Sequence, residues 1–282
     1  MDLKHISAGI ITILVVILSF QTVIAEPENT GNEPGVVISS SDINGNLSEN
    51  SSGADILHLL NQAGSNGTPA SVRIIQVRPG AVYSPDGANP APEALYLISG
   101  DARVSADTSS VNAKFGDTIV VPQGSLFNVE NVGTESLTFI TVLSSPVQIQ
   151  DTKDQSMYKK SPGEITPVTF GNETDNTKFS VIRILDTNGD SLPLSYDLAV
   201  VSLPAEHTIG SHYVTGGEIG YMLDGSGNVT IGCVPHEVRK GDIFYIPPKA
   251  VQEMTASSEM KFLLLTDPFY KPGEDFPVLS SC

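Results

Sequence analysis

Two stretches decide how this chain folds: His212–Gly225, HYVTGGEIGYMLDG, and Gly241–Gln252, GDIFYIPPKAVQ. Each alone reads as strand, turn and strand, with short apolar runs punctuated by Gly and Pro. Sliding the sequence along itself by 125 residues lays Pro79 on Pro204, Glu93 on Glu218, Tyr96 on Tyr221 and Gly100 on Gly225. The same offset carries Gly116-Asp117 onto Gly241-Asp242, Pro122 onto Pro247, Ile56–Leu60 onto Val181–Leu185 and Gly64 onto Gly189, without a gap. Turn residues recurring at one offset mark a duplicated unit, and a period this long means two domains rather than a solenoid.

The folded part has the texture of an all-β protein. Val72–Val77, Thr118–Val121, Leu137–Leu143, Leu198–Leu203, Ile243–Ile246 and Lys261–Thr266 are short and β-branched or aromatic. Clusters such as Arg78-Pro79-Gly80, Ser99-Gly100-Asp101 and Asp224-Gly225 separate them, the pattern of a sandwich or barrel. Residues 54–150 and 167–282 are the expected domains, and 151–166, polar and carrying Pro162-Gly163, the linker.

Of the 282 residues, 15 are Lys or Arg and 32 Asp or Glu, for a net charge of −17. That balance speaks against a nucleic-acid partner, which needs basic groups to replace phosphate counterions, and against an anionic membrane surface. Residues 1–25 read as a secretory signal: Lys4, an apolar run Ile6–Phe20, and the small side chains Val23 and Ala25 before a cut after Ala25. The competing reading is an uncleaved anchor, which would be the chain's only tie to a membrane. Both place the remainder outside the cell, secreted or tethered. Residues 26–53, rich in Glu, Asn, Gly and Ser, read as a flexible stalk. Asn46, Asn50, Asn66, Asn172 and Asn228 lie in Asn-x-Ser/Thr sequons, each a candidate glycan site on an exported chain. Cys233 and Cys282, in an oxidising compartment, read as a disulfide closing a loop of about fifty residues, worth roughly 4 kcal/mol by chain entropy.

The repeated motifs resemble those of the cupins. That family's first motif is a His-x-His pair followed by Glu, six residues and Gly; its second is G-x5-P-x-G-x2-H-x3-N. Glu93…Gly100 and Gly116…Pro122-Gln123-Gly124…Asn131 match, with Phe127 where the family places a His. Glu218…Gly225 and Gly241…Pro247 match, with Lys249 for the Gly and Gln252 for the His. The resemblance spans about residues 55–145 and 180–270 and implies two tandem jelly-roll barrels, a small-molecule ligand and self-association into oligomers.

Cupins hold a divalent metal inside the barrel on the His pair, the Glu and the second-motif His. At those positions the second repeat carries His212, Val214, Glu218 and Gln252, with Tyr221 nearby as a pocket residue. One imidazole, one carboxylate and one amide are a poor set for iron or zinc, while manganese or calcium tolerates oxygen ligands better; the resemblance implies at most one divalent ion here, manganese, iron, zinc or nickel. His207 would join only through a bulge, being of the wrong strand parity. The first repeat carries Gly87, Asn89, Glu93 and Phe127 there, a set expected to hold no metal, with Glu93 needing a partner if buried. His58 and His236 read as surface residues. Three functions follow: a protein binding a sugar or organic acid in the second barrel, preferred; a metal-dependent oxidoreductase, decarboxylase or isomerase using His212, Glu218 and Gln252; or a structural cell-surface protein.

Overall fold

The apolar runs become strands where the alternation of side chains and turn signals placed them. In the computed structural model, which describes residues 35–40, 48–49, 54–60, 71–143 and 156–278, the described elements are strands and one 3-10 turn at Pro162–Glu164. The larger sheet of the first barrel orders Tyr158–Lys160, Thr118–Val121, Glu93–Ser99, Leu137–Leu143, Ser71–Val77, Ala54–Leu60 and Ser48–Glu49. Its smaller sheet orders Val82–Tyr83, Phe127–Asn131, Asp101–Ala106 and Ser109–Lys114. The second barrel repeats the plan with Val36–Ile38, Ile243–Ile246, Gly217–Asp224, Met260–Asp267, Asp197–Leu203, Phe179–Leu185 and Val168–Phe170. Facing it is a sheet of Val234–Arg239, Ser226–Ile231, Gln252–Ala256, Thr208–Val214 and Asp275–Pro277. The repeat in sequence is thus a repeat in space, a pair of jelly rolls.

Two edge strands correct the expected boundaries. Val36–Ile38, inside the segment expected to be a stalk, pairs antiparallel with Ile243–Tyr245 at the edge of the second barrel. Tyr158–Lys160, inside the expected linker, pairs with Thr118–Val120 of the first. The repeated Gly-Asp receives both. Asp117 caps its own turn through the Lys114 N–H (3.0 Å) and meets the Lys159 Nζ at 2.8 Å. Asp242 accepts the Arg239 N–H (3.0 Å) and the Ser40 N–H (2.7 Å). Short polar stretches can read as linkers because an edge strand needs only one apolar face and a neighbour to pair with.

Both faces of the large sheets are apolar, which explains runs too continuous to alternate. Leu95, Leu97, Ile75 and Phe139 point into the first barrel, whereas Ala94, Tyr96, Val72 and Ile140 point out, onto Leu198, Val200, Ile219 and Leu263 of the second. The barrels therefore pack back to back through their large sheets. Tyr196, fully buried, locks this interface: its hydroxyl donates to the Val142 carbonyl at 2.8 Å and accepts the Ala94 N–H at 3.2 Å. Ala94 and Val142 are cross-strand partners, so one phenol from the second barrel ties two strands of the first.

Beside Tyr196, burial lifts the Asp267 carboxyl from the ordinary 3.8 to about 6, against one hydrogen bond from the Ser195 hydroxyl (3.3 Å). A carboxyl raised on folding favours the folded state while protonated, so its contribution is whole below about pH 3.8 and lost as pH rises through about 6. Asp267→Asn is expected to be more stable than the natural chain at pH 7, by on the order of 1–2 kcal/mol. The two should converge near pH 4 in urea melts; a gap independent of pH would assign the effect to packing instead.

Candidate ligand-binding site

Register places the interior of the second barrel in layers. Thr266 lies opposite Asp197 on one side and Glu218 on the other, a polar row across three strands. The next inward-facing row on two of these strands is Ala199 and Leu264, and the next Val201 and Phe262. From the smaller sheet, His212 and Gln252 are opposite one another, as are Ile209 and Met254. A cavity of about 480 Å³ runs along these rows, polar at one end and apolar at the other.

At the polar end Glu218 is buried and accepts a short hydrogen bond from the Gln252 amide, with the Thr266 hydroxyl at 3.5 Å. Burial pushes the Glu218 carboxyl above the ordinary carboxylate range, and the Gln252 amide, followed by the charge of His212, pulls it back. His212 is half-buried and its Nδ1 lies 2.8 Å from the Gly210 carbonyl, which leaves Nε2 to face a ligand. Asp197 is buried, accepts the Thr187 N–H at 2.7 Å and is likewise raised by burial. Its motif carries no hint of this role, because Asp197 matters only through its strand's register with Thr266.

Of the residues chosen from sequence, His212, Val214, Glu218 and Gln252 line the cavity together. Tyr221 does not: it packs against the apolar interface between the barrels. Strand parity is the reason, since Glu218 and Tyr221 are three apart and face opposite sides. His207 is buried away from the cavity, with Nε2 3.2 Å from Glu173 and Nδ1 3.1 Å from the Ala205 carbonyl. Cys233 sits in the turn between Ser226–Ile231 and Val234–Arg239, while Cys282 lies outside the described residues, as do residues 1–25. Asn172 and Asn228 are exposed; Asn46, Asn50 and Asn66 are also outside the described residues.

The first barrel fills the same space with its own side chains. Ser71–Val77 and Asp197–Leu203 are equivalent strands, closing on Leu137 and Met260 respectively, so Arg73 stands where the second barrel has Ala199. The Arg73 guanidinium reaches the buried Glu93 at 2.5 Å and donates through Nε to the Thr141 hydroxyl at 3.2 Å. Burial alone would lower the Arg73 pKa, but Glu93 and then Tyr83 more than offset it, so the cation is retained. Phe127, at the position equivalent to Gln252, packs edge-on to Tyr83 at 6.4 Å. A side-chain cation thus sits on the Glu93 carboxylate, the position from which cupins hold their metal.

Neither barrel offers the ligand set of a His-rich metal centre. Among the described residues no three His, Cys, Asp or Glu side chains converge to hold a metal ion. In the second barrel the Gln252 amide points its donor, rather than its oxygen, at Glu218, and so occupies a carboxylate that a metal would need. His212 and Glu218 alone do not fit a transition metal.

Comparison with known proteins agrees with this architecture. The family model described as "Cupin domain" matches twice, at residues 73–143 and 199–266. An uncharacterised protein of Methanocaldococcus jannaschii is 36% identical over 83 residues, 29% of this chain and 65% of its own length. A dimethylsulfoniopropionate lyase of Ruegeria pomeroyi is 35% identical over 77 residues, 27% of this chain and 51% of the lyase. The chain therefore spans less than two thirds of either relative. Among solved structures, oxalate decarboxylase of Lactobacillus farciminis superposes with a TM-score of 0.67 at 14% identity, covering 88% of this chain and 90% of that one. A variant of the Bacillus subtilis oxalate decarboxylase gives 0.65 at 15% identity, covering 86% and 79%. At such identity these likenesses speak for fold, and they agree with the repeat, the paired jelly rolls and the doubled family match: the chain is a two-domain member of the cupin superfamily.

Proposed function

We propose that this protein is an exported bicupin that binds a small organic molecule in its second barrel without turning it over. The observation that carries this reading is the contrast between Arg73 and Ala199. One barrel is closed by an internal ion pair, and the other, at the same position, keeps a methyl group and an open, layered cavity. The layering suits a ligand with a polar head near Glu218, Gln252 and His212 and an apolar body against Val201, Met254 and Phe262. A free sugar would leave that apolar end uncovered. Export rests on the signal-like residues 1–25.

Ala199→Arg tests the reading. The new guanidinium is expected to reach Glu218 as Arg73 reaches Glu93, filling the cavity while the barrel stays folded. Small-molecule hits found by ligand-observed NMR with residues 26–282 should vanish in the variant, with at least a hundredfold loss of affinity. Hits that persist would place binding elsewhere. The likeness to a lyase favours a second reading, a metal-dependent enzyme at this cavity. About one equivalent of manganese, iron, zinc or nickel, measured in protein purified without chelator and lost in His212→Ala/Glu218→Ala, would replace the binding reading with that one.

A further inference from the structure

The polar end of the cavity is unbalanced. Its carboxylates, Asp197 and Glu218, flank Thr266 from the two neighbouring strands, so their backbones stand about 10 Å apart, two strand spacings. Two carboxylates reaching inward over that span leave room for one small head group between them. Asp275 adds a third carboxylate to the lining.

Two of the donors in the lining are already engaged, and the charges of Arg183 and His212 offset the carboxylates only in part. The Gln252 amide donates to Glu218. The Arg183 guanidinium lies 3.4 Å from Asp186 and stands over the Tyr270 ring at 5.4 Å. Two acceptors stay unanswered: Asp197 Oδ2 and Gln252 Oε1, both on buried residues that line the cavity, have no hydrogen-bond partner among the described residues. Buried acceptors without donors cost free energy unless a ligand brings the donors.

We infer that the second barrel selects a small organic ammonium ion, its N–H head held between Asp197 and Glu218 and its apolar body laid along Val201, Met254 and Phe262. A carboxylate head would add an anion beside two others and supply no donor. A neutral alcohol would supply one donor and no charge. An ammonium supplies three donors and a further positive charge. Burial raises both Asp197 and Glu218, Arg183 and His212 respectively offset this only in part, and an entering ammonium would offset it further. Phe179 and Phe262, also in the lining, offer ring surface to the apolar body of the ligand.

This inference rests on the binding reading above, and one calorimetric series separates the two. The probes share a body and differ in head: 3-phenylpropylammonium, 3-phenylpropanol and 3-phenylpropanoate, titrated into residues 26–282 at pH 7.5 or about there. The ammonium is expected to bind at least tenfold more tightly than either of the others. Asp197→Asn should cost it about tenfold, the scale of one lost charge-assisted bond, while changing the alcohol little. Ala199→Phe, which blocks the cavity without altering charge, should abolish binding. Preference for the carboxylate or the alcohol, abolished by Ala199→Phe, would overturn the charge selection and leave cavity binding standing. Ammonium binding that survives Ala199→Phe would assign it to the acidic surface and overturn the inference. Binding of none of the three also overturns it, and the fragment screen then decides the binding reading by itself.

Discussion

Replacing Arg73 by methionine is expected to destabilise the chain by about 3–5 kcal/mol, the usual cost of leaving one partner of a buried ion pair alone. Glu93 is almost wholly buried, and Arg73 reaches it at 2.5 Å from the next inward-facing position on a nearby strand. Methionine fills a similar volume, so the loss falls on the charge and its hydrogen bonds rather than on packing. Arg73→Lys should be intermediate: the charge stays, but a lysine cannot both donate to Thr141 and reach Glu93 as the fork does. The double variant Arg73→Met/Glu93→Leu should recover most of the loss, because the pair's stabilisation is largely spent on desolvating it. Urea midpoints of the two single variants and the double variant make the test. If the double variant were as unstable as Arg73→Met, the ion pair would not be what closes the first barrel.

Tyr196→Ala is expected to cost about 3–5 kcal/mol and to loosen one barrel from the other. The side chain is fully buried where the two large sheets meet, among Leu198, Val200 and residues of the first barrel. Tyr196→Phe isolates the hydroxyl. It leaves the Ala94 N–H and the Val142 carbonyl without the phenol and should cost about 1–3 kcal/mol. Burial also raises the Tyr196 phenol well above its ordinary value, so it remains a neutral donor throughout the working range of pH. Denaturant unfolding followed at both barrels should show one transition for the natural chain and two for Tyr196→Ala. A single transition in the alanine variant, shifted or not, would mean that the remaining apolar interface couples the barrels without this residue.

The balance between what was legible in the sequence and what was not follows from the range of the forces involved. The duplication, the strands and the turns are local: Gly100 and Gly225 take positive φ where each repeat turns, and a Cβ on Gly225 would lie 1.8 Å from the Glu259 carbonyl oxygen. Such constraints bind neighbours in the chain, so they recur as a readable spacing and announce the family. His212, Val214, Glu218 and Gln252 inherit their positions from those motifs, and they meet in the cavity. Strand parity alone, counted from Glu218, already turns Tyr221 outward.

Other features exist only once strands are paired. Val36–Ile38 finds its partner about two hundred residues away, and Ser40 hydrogen-bonds to Asp242 at a separation of 202. Arg73, which belongs to no motif, lies twenty residues from Glu93 and meets it because their strands flank the Leu137–Leu143 strand. Asp197 becomes a cavity residue through its register with Thr266. The sequence by itself determined that there are two barrels and where the motif positions of each recur. Only the tertiary structure decided which barrel is closed, because filling or leaving a cavity depends on the summed side-chain volume and charge of strands distant in the chain.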